Sequence, residues 1–314
     1  STLLLEILQQ DPMVWASYEP LQEVRQIPSN AALRETEAGR CREGVQERST
    51  VASRCPLRDA ALLLALLSCD MMPMLSLWYQ ELELAGRRGA YLPNAQGFGA
   101  AWLPASLVGD LSDRRAATFV EQQQRCREKP IHVVKTIRMN GHLDSLLNVS
   151  TATGLAPPLL LHLVRDLKSV YASRKGLTTP FGLPSTSTQQ QRSAAVERWS
   201  RAMCTATRRD MLMGRREHPQ HYELVNFTEL VRRPTFVMEH IYARHFKRAV
   251  PAAVRAYIAE HLGQNVSNTT NDTTWQYQFG TSARNLDTLE HGWQRKLEPW
   301  ETQAIDDGCG REWR

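Results

Sequence analysis

The stretch that most constrains the fold is Leu159 to Arg174, LLLHLVRDLKSVYASR, which follows Pro157-Pro158. Its short apolar run, Leu159 to Val164, has the length of a strand covered on both faces, as strands of parallel sheets are. Arg165 and Asp166 end the run. Lys168 to Arg174 continue with helical character, and Ser169 and Ser173, four residues apart, fall on one predicted helix face. A buried strand that passes through an Arg straight into a helix predicts an α/β fold, with a central parallel sheet flanked by helices. Donors converge at the carboxyl edge of such a strand, so Arg165 with a hydroxyl-bearing helix behind it suits an anion. An ordinary βα unit whose Arg and Asp pair at the surface satisfies the same letters.

The basic residues point the same way. The 314 residues hold 32 Arg but only 6 Lys, within a net charge of +5. Arg presents a planar fork that matches phosphate, sulfate and carboxylate, although codon bias produces the same excess. No basic tract interleaved with aromatics appears, so nucleic acid is not expected as a partner, and anionic small ligands or acidic glycans fit better.

The six cysteines, Cys41, Cys55, Cys69, Cys126, Cys204 and Cys309, never form C-x-x-C, which argues against a zinc site. Their even number allows disulfides, with all 15 pairings open. Asn148, Asn226, Asn265, Asn268 and Asn271 each begin N-x-S/T. The last three share one polar stretch, which predicts a surface loop in the secretory pathway. Ala60 to Trp78 is apolar but broken by Asp70 and Pro73, so it reads as a buried helix and not a membrane span. The chain opens at Ser1-Thr2 without Met or anchor and is read as a fragment.

Other elements follow from periodicity and breakers. Thr2 to Gln10 places Leu3, Leu4, Ile7 and Leu8 on one helical face, and Asp11-Pro12 stops that helix before a short strand, Met13 to Ala16, and a turn at Tyr18 to Pro20. Asp59 to Glu83 reads as helix, Gly86 to Pro104 as loop, Gln122 to Arg127 as helix, and Ile131 to Lys135 as a second parallel strand. Lys175 to Arg192 reads as a low-complexity connector. A long helix carrying Cys204 comes next, then a strand from Tyr222 to Phe227, and Thr228 to Arg232 turns into a helix that starts near Pro234.

Arg165, Asp166, Val170, Ser173 and Arg174 resemble the segment with which sulfotransferases grip the 3′-phosphate of 3′-phosphoadenosine 5′-phosphosulfate (PAPS), with Leu167 replacing a Pro and Lys168 a second Arg. The opening resembles that of Golgi carbohydrate sulfotransferases: Ser1, Thr2, Glu6, Asp11, Pro12, Tyr18, Glu19 and Pro20 fall in that family's order and spacing. Cys126, Val134, Lys135 and Arg138 resemble its Cys…V-I-K-x-V-R strand. Phe279 to Asn285 resembles its x-x-S-x-R-N loop, and Trp293, Leu297 and Glu298 to Cys309 its late helix and cysteine. The segment VNFTELVRRP lacks the family's Tyr and Asp, its closing L-G-Y is absent, and the resemblance is weakest from Arg25 to Val120.

The resemblance implies one sulfotransferase domain over residues 1–314, with a P-loop-like sulfotransferase fold whose first strand and Arg-x-Gly loop lie upstream of this fragment. It also implies transfer of the sulfuryl group from PAPS, without a metal, to the 6-hydroxyl of Gal, GlcNAc or GalNAc on a glycan or proteoglycan. The setting would be the Golgi lumen, in a type II protein anchored to the membrane by a segment outside this chain. Ser1 and Thr2 would face the 5′-phosphosulfate, and Arg165 and Ser173, with Arg284, the 3′-phosphate. Glu19, at the Y-E-P position, would be the base, with His142 its rival, and Lys135 would support the bridging oxygen. Bland roles remain open: Glu19 pairing with a core Arg, and Lys135 as a structural residue. Two other classes stay open as well. A P-loop kinase-like phosphotransferase would need G-x-x-x-x-G-K-[S/T], which these residues lack. A non-catalytic glycan-binding relative would keep the fold alone.

Overall fold

A computed structural model describes residues 2–18, 56–70, 90–93, 100–103, 120–136, 141–175, 186–262 and 291–310. Helix α1 (Thr2–Leu8) buries Leu3, Leu4, Ile7 and Leu8, as their spacing predicts. Each such side chain contributes roughly 2 kcal/mol of transfer free energy. The helix stops at Asp11, whose carboxylate accepts the Met13 amide at 2.9 Å and turns the chain into β1 (Val14–Tyr18). Asp11 is fully buried, and its other oxygen is held by the Tyr242 hydroxyl, at 2.7 Å, and by Arg248. Burial, with Asp11 beside it, pushes the Tyr242 phenol above its usual range.

Helix α2 (Pro56–Leu67) breaks inside the predicted span Asp59 to Glu83, of which residues 71–83 lie outside the described residues. Cys69 adopts a left-handed φ of 56°, and the Asp70 amide turns back to the Ala65 carbonyl at 2.8 Å, a helix-terminating arrangement. Cys69 is bonded to Cys126, so a covalent tie fixes the position where the apolar run had suggested continuation. The region predicted as loop holds two short strands, β2 (Ala90–Pro93) and β3 (Ala100–Leu103), paired antiparallel. A short helix, α3 (120–127), leads to β4 (Ile131–Lys135).

Strand β4 pairs in parallel with β1, from Val14 opposite Ile131 to Tyr18 opposite Lys135. Helix α4 (Leu143–Thr153) precedes β5 (Leu160–Val164), which passes into α5 (Leu167–Lys175). The predicted connector ends sooner than expected. Thr188 and Gln191 form a reciprocal cap that starts α6 (Gln189–Glu217), 29 residues or roughly 44 Å of helix. Strand β6 (Tyr222–Asn226) pairs in parallel with β5, from Leu160 opposite Tyr222 to Val164 opposite Asn226. Three helices follow, α7 (Phe227–Arg232), α8 (Pro234–Ile241) and α9 (Ala252–Leu262), with a π-helical turn at Tyr242–Phe246 after α8. The last element among the described residues is α10 (Pro299–Cys309).

The expected central sheet appears, among the described residues, as two separate parallel pairs, β1–β4 and β5–β6. Side-chain alternation nevertheless puts both pairs between the same two apolar clusters. Val133, Leu161, Leu163 and Val225 face a cluster that contains α1, α7, α8 and α9. Trp15, Val134, Leu160, Tyr222 and Leu224 face the other, with α2 and α4. The result is a mixed α/β arrangement with helices on both faces of the parallel strands. A third cluster joins Tyr171 of α5 to Val196 and Trp199 of α6 and to Ala304 and Ile305 of α10. Cys204 of α6 is bonded to Cys309 of α10. None of the described helices is long and apolar enough to cross a membrane.

Candidate functional site

Parallel pairing brings the carboxyl ends of β5 and β6 to one edge, and both strands turn there directly into capped helices. Asp166 caps α5: one carboxylate oxygen accepts the Ser169 amide at 2.9 Å and the Ser169 hydroxyl at 3.0 Å. Asn226 caps α7, its side-chain oxygen accepting the amides of Thr228 and Glu229 at 2.8 and 3.2 Å. Arg165 links the two junctions, because its guanidinium carbon lies 4.4 Å from the ring centroid of Phe227, the first residue of α7. Stacking of this kind orients the planar fork without using its in-plane donors. Phe227 in turn belongs to the apolar cluster that contains Leu3, Leu4, Ile7 and Leu8 of α1. Arg165 and the amino-terminal helix are thus built onto one cluster.

The remaining positions divide clearly. Lys135 is the last residue of β4, in register with Tyr18 at the end of β1. Thr2 is the first residue of α1. Ser173 is exposed in the last turns of α5, its hydroxyl donating to the Val170 carbonyl at 2.8 Å. Ser169, expected to join Ser173 on a ligand-facing surface, is instead buried and spent on the Asp166 cap. Ser1, Glu19 and Arg284 lie outside the described residues.

Asp166 also limits what α5 can do. A carboxylate already occupies the first-turn amides of that helix, so an anion arriving there must rely on Arg165 and side-chain hydroxyls. Lys168 does not stand in for a second phosphate-gripping Arg. It pairs with Asp306 at 2.9 Å and lies 5.2 Å from the Trp293 ring centroid. Lys175 pairs with the buried Glu301 at 2.7 Å.

Sequence reasoning missed these acidic partners, because nothing local links residues 168 and 175 to positions more than 120 residues later. It also missed Ser17, whose hydroxyl is buried near the carboxyl end of β1 with no hydrogen-bond partner among the described residues. A polar residue one step from the end of a buried strand was its only signal.

Two buried titratable groups flank this framework. His162 of β5 meets the Tyr222 hydroxyl at 2.7 Å, and burial pushes its pKa down to about 4, so the ring is neutral. Asp210 of α6 accepts the amides of Gly141 and Leu143 at 2.6 and 3.3 Å, serving α4 as a cap supplied from another helix. His142, the neighbouring candidate base, makes no side-chain cap. Burial pushes Asp210 up to about 7, against the pull of those two amides.

Cys69, Cys126 and His132 form a group of metal-ligating type. The two sulfurs are bonded to each other and are not the thiolates a zinc ion takes. Nδ1 of His132 lies 2.7 Å from the Leu67 carbonyl, and Nε2 lies 2.7 Å from that of Lys129. The imidazole therefore clasps the chain just past α3 to the end of α2.

No protein-family model matches the chain, and no curated protein matches it. Among solved structures the chain is similar to the sulfotransferase domain from the Synechococcus PCC 7002 olefin synthase. The two share 16% identity over 80% of this chain and 73% of that one, with a TM-score of 0.38. A likeness this slight fixes neither fold nor activity.

Proposed function

We propose that the chain is the catalytic domain of a carbohydrate sulfotransferase, moving the sulfuryl group of PAPS to a sugar hydroxyl, the 6-hydroxyl of Gal, GlcNAc or GalNAc. The observation that carries this reading is the Arg165–Phe227 stack. A guanidinium is oriented at the end of a buried parallel strand, beside a second strand end, with Ser173 on the helix that follows.

In this reading Arg165 and Ser173, with Arg284, take the 3′-phosphate. The residues around Ser1 and Thr2 take the 5′-phosphosulfate. The acceptor oxygen attacks sulfur in line, the bond from sulfur to the 5′-phosphate oxygen breaks with its electron pair on that oxygen, and the hydroxyl proton passes to the Glu19 carboxylate. Lys135 supports the oxygen on which charge develops. The disulfides and the sequon at the exposed Asn148 support residence in an oxidising, glycosylating compartment such as the Golgi lumen, with a glycan or proteoglycan as acceptor.

The test is isothermal titration of adenosine 3′,5′-bisphosphate against the full-length protein and its Arg165→Ala variant. Binding by the wild type and its loss in the variant are expected. Absence of binding, or equal binding by both proteins, sinks the assignment. Binding without turnover on any hexose acceptor would favour a non-catalytic glycan-binding relative.

A further inference from the structure

Helix α5 has nine residues, too few to be stable alone in water, so its axis is set by what it packs against. Lys168, Tyr171 and Lys175 fall three and four residues apart, on one stripe of that helix, and all three reach α10. Lys168 lies 2.9 Å from Asp306, Tyr171 donates its hydroxyl proton to Glu301 at 3.1 Å, and Lys175 donates to Glu301 at 2.7 Å. Ser173 sits on a different face of the same helix and is exposed.

Glu301 is 2% exposed and also accepts the Glu298 amide at 2.8 Å. A carboxylate is tolerated in such a place only when donors surround it, as they do here. From behind, α10 is fixed to α6 by Cys204–Cys309, and Gly308 allows the close approach, because a Cβ there would lie 2.4 Å from the Glu197 carbonyl oxygen. Arg165 precedes α5 and rests on Phe227 of α7, whereas Ser173 lies in the last turns of α5, so a tilt of that helix changes their separation.

We infer that Glu301 is a positioning residue for the 3′-phosphate site. Through Tyr171 and Lys175 it sets the axis of α5 from a helix anchored elsewhere. The inference rests on the sulfotransferase reading above and adds to it a regulator of phosphate affinity that carries negative charge and cannot itself bind the anion.

The test titrates adenosine 3′,5′-bisphosphate and adenosine 5′-monophosphate against the full-length wild type, Glu301→Gln and Lys175→Met. The second variant alters a side chain that is 32% exposed and keeps the Tyr171–Glu301 bond, so it answers the question even where the first fails to fold. The expected result is about a tenfold loss of bisphosphate affinity in each folded variant, with monophosphate affinity unchanged, because only the 3′-phosphate reaches α5. A general loosening of the protein would weaken both nucleotides together. Equal losses for both nucleotides, or no loss for either, overturn the positioning role while leaving the sulfotransferase reading intact. A wild type that binds neither nucleotide overturns that reading, and the inference with it.

Discussion

The carboxylate of Asp210 accepts the amide of Gly141 at 2.6 Å, across 69 residues of sequence. Gly141 is suited to this approach: its φ is +81°, and a Cβ there would lie 3.0 Å from the Ala206 Cβ. Burial raises the Asp210 pKa from 3.8 to about 7, so between those values the native state holds a proton that the unfolded chain has released. The stabilising effect of that proton is complete below the unfolded value and fades as pH rises through about 7. Asp210→Asn keeps one acceptor oxygen, for the shorter bond from Gly141, and removes the titration. Urea unfolding at several pH values should show the wild type losing on the order of 2–4 kcal/mol relative to the variant between pH 5 and pH 8. Parallel stability curves would count against a buried, proton-holding Asp210.

Gly214 faces the ring of Tyr222, and a Cβ at this position would lie 2.2 Å from a ring carbon. The ring cannot swing aside freely, since its hydroxyl is bonded to His162. Gly214→Ala should therefore cost about 2 kcal/mol by overpacking, despite the better helix propensity of Ala. Thermal and urea unfolding measure it, and a neutral or stabilising result would mean that the strand and helix separate easily.

Two sequons sit in contrasting places. Asn148 is exposed on α4, whereas the side-chain oxygen of Asn226 accepts two amides at the start of α7. Glycopeptide mass spectrometry of the chain secreted from a glycosylating host should find a glycan at Asn148 and none at Asn226. Asn226→Ala should cost about 1 kcal/mol through the lost cap. A glycan on Asn226 would contradict its assignment to the helix end.

Charge alone does not describe Arg165. Its guanidinium lies over the Phe227 ring, so Arg165→Lys keeps the charge but loses the fork and changes the contact with the ring. Affinity for adenosine 3′,5′-bisphosphate should fall about tenfold in this variant. Full binding by the Lys protein would reduce the position to a point charge.

The parts of the fold that the sequence made legible are those set by short-range pattern. Leu160–Val164 and the helix after it could be read because the apolar run is short and ends at charged residues. Helix α1 could be read because four apolar residues share a face and Asp11 ends it. The misreadings have tertiary causes. Helix α2 stops where Cys69 turns left-handed and bonds to Cys126, and no local signal announces a partner 57 residues away. Ala90–Pro93 and Ala100–Leu103 pair within a stretch whose composition suggests only loop. At the candidate site, Arg165 and Lys135 could be named from their positions at strand ends. The diversion of Lys168 to Asp306 depends on geometry that residue spacing does not carry, whereas that of Ser169 to Asp166, three residues apart at a helix start, is a capping signal the sequence reading passed over.

Asp11 joins the beginning of the chain to Tyr242 and Arg248, across 231 and 237 residues. During synthesis β1 has to wait for those partners, which at ribosomal speeds takes on the order of 10–50 seconds. Through that interval an apolar amino-terminal helix and a buried acid have nowhere to dock. The nascent protein should therefore depend on chaperones until Arg248 has emerged, and the segment from α1 to β1 should be among the last to become resistant to protease.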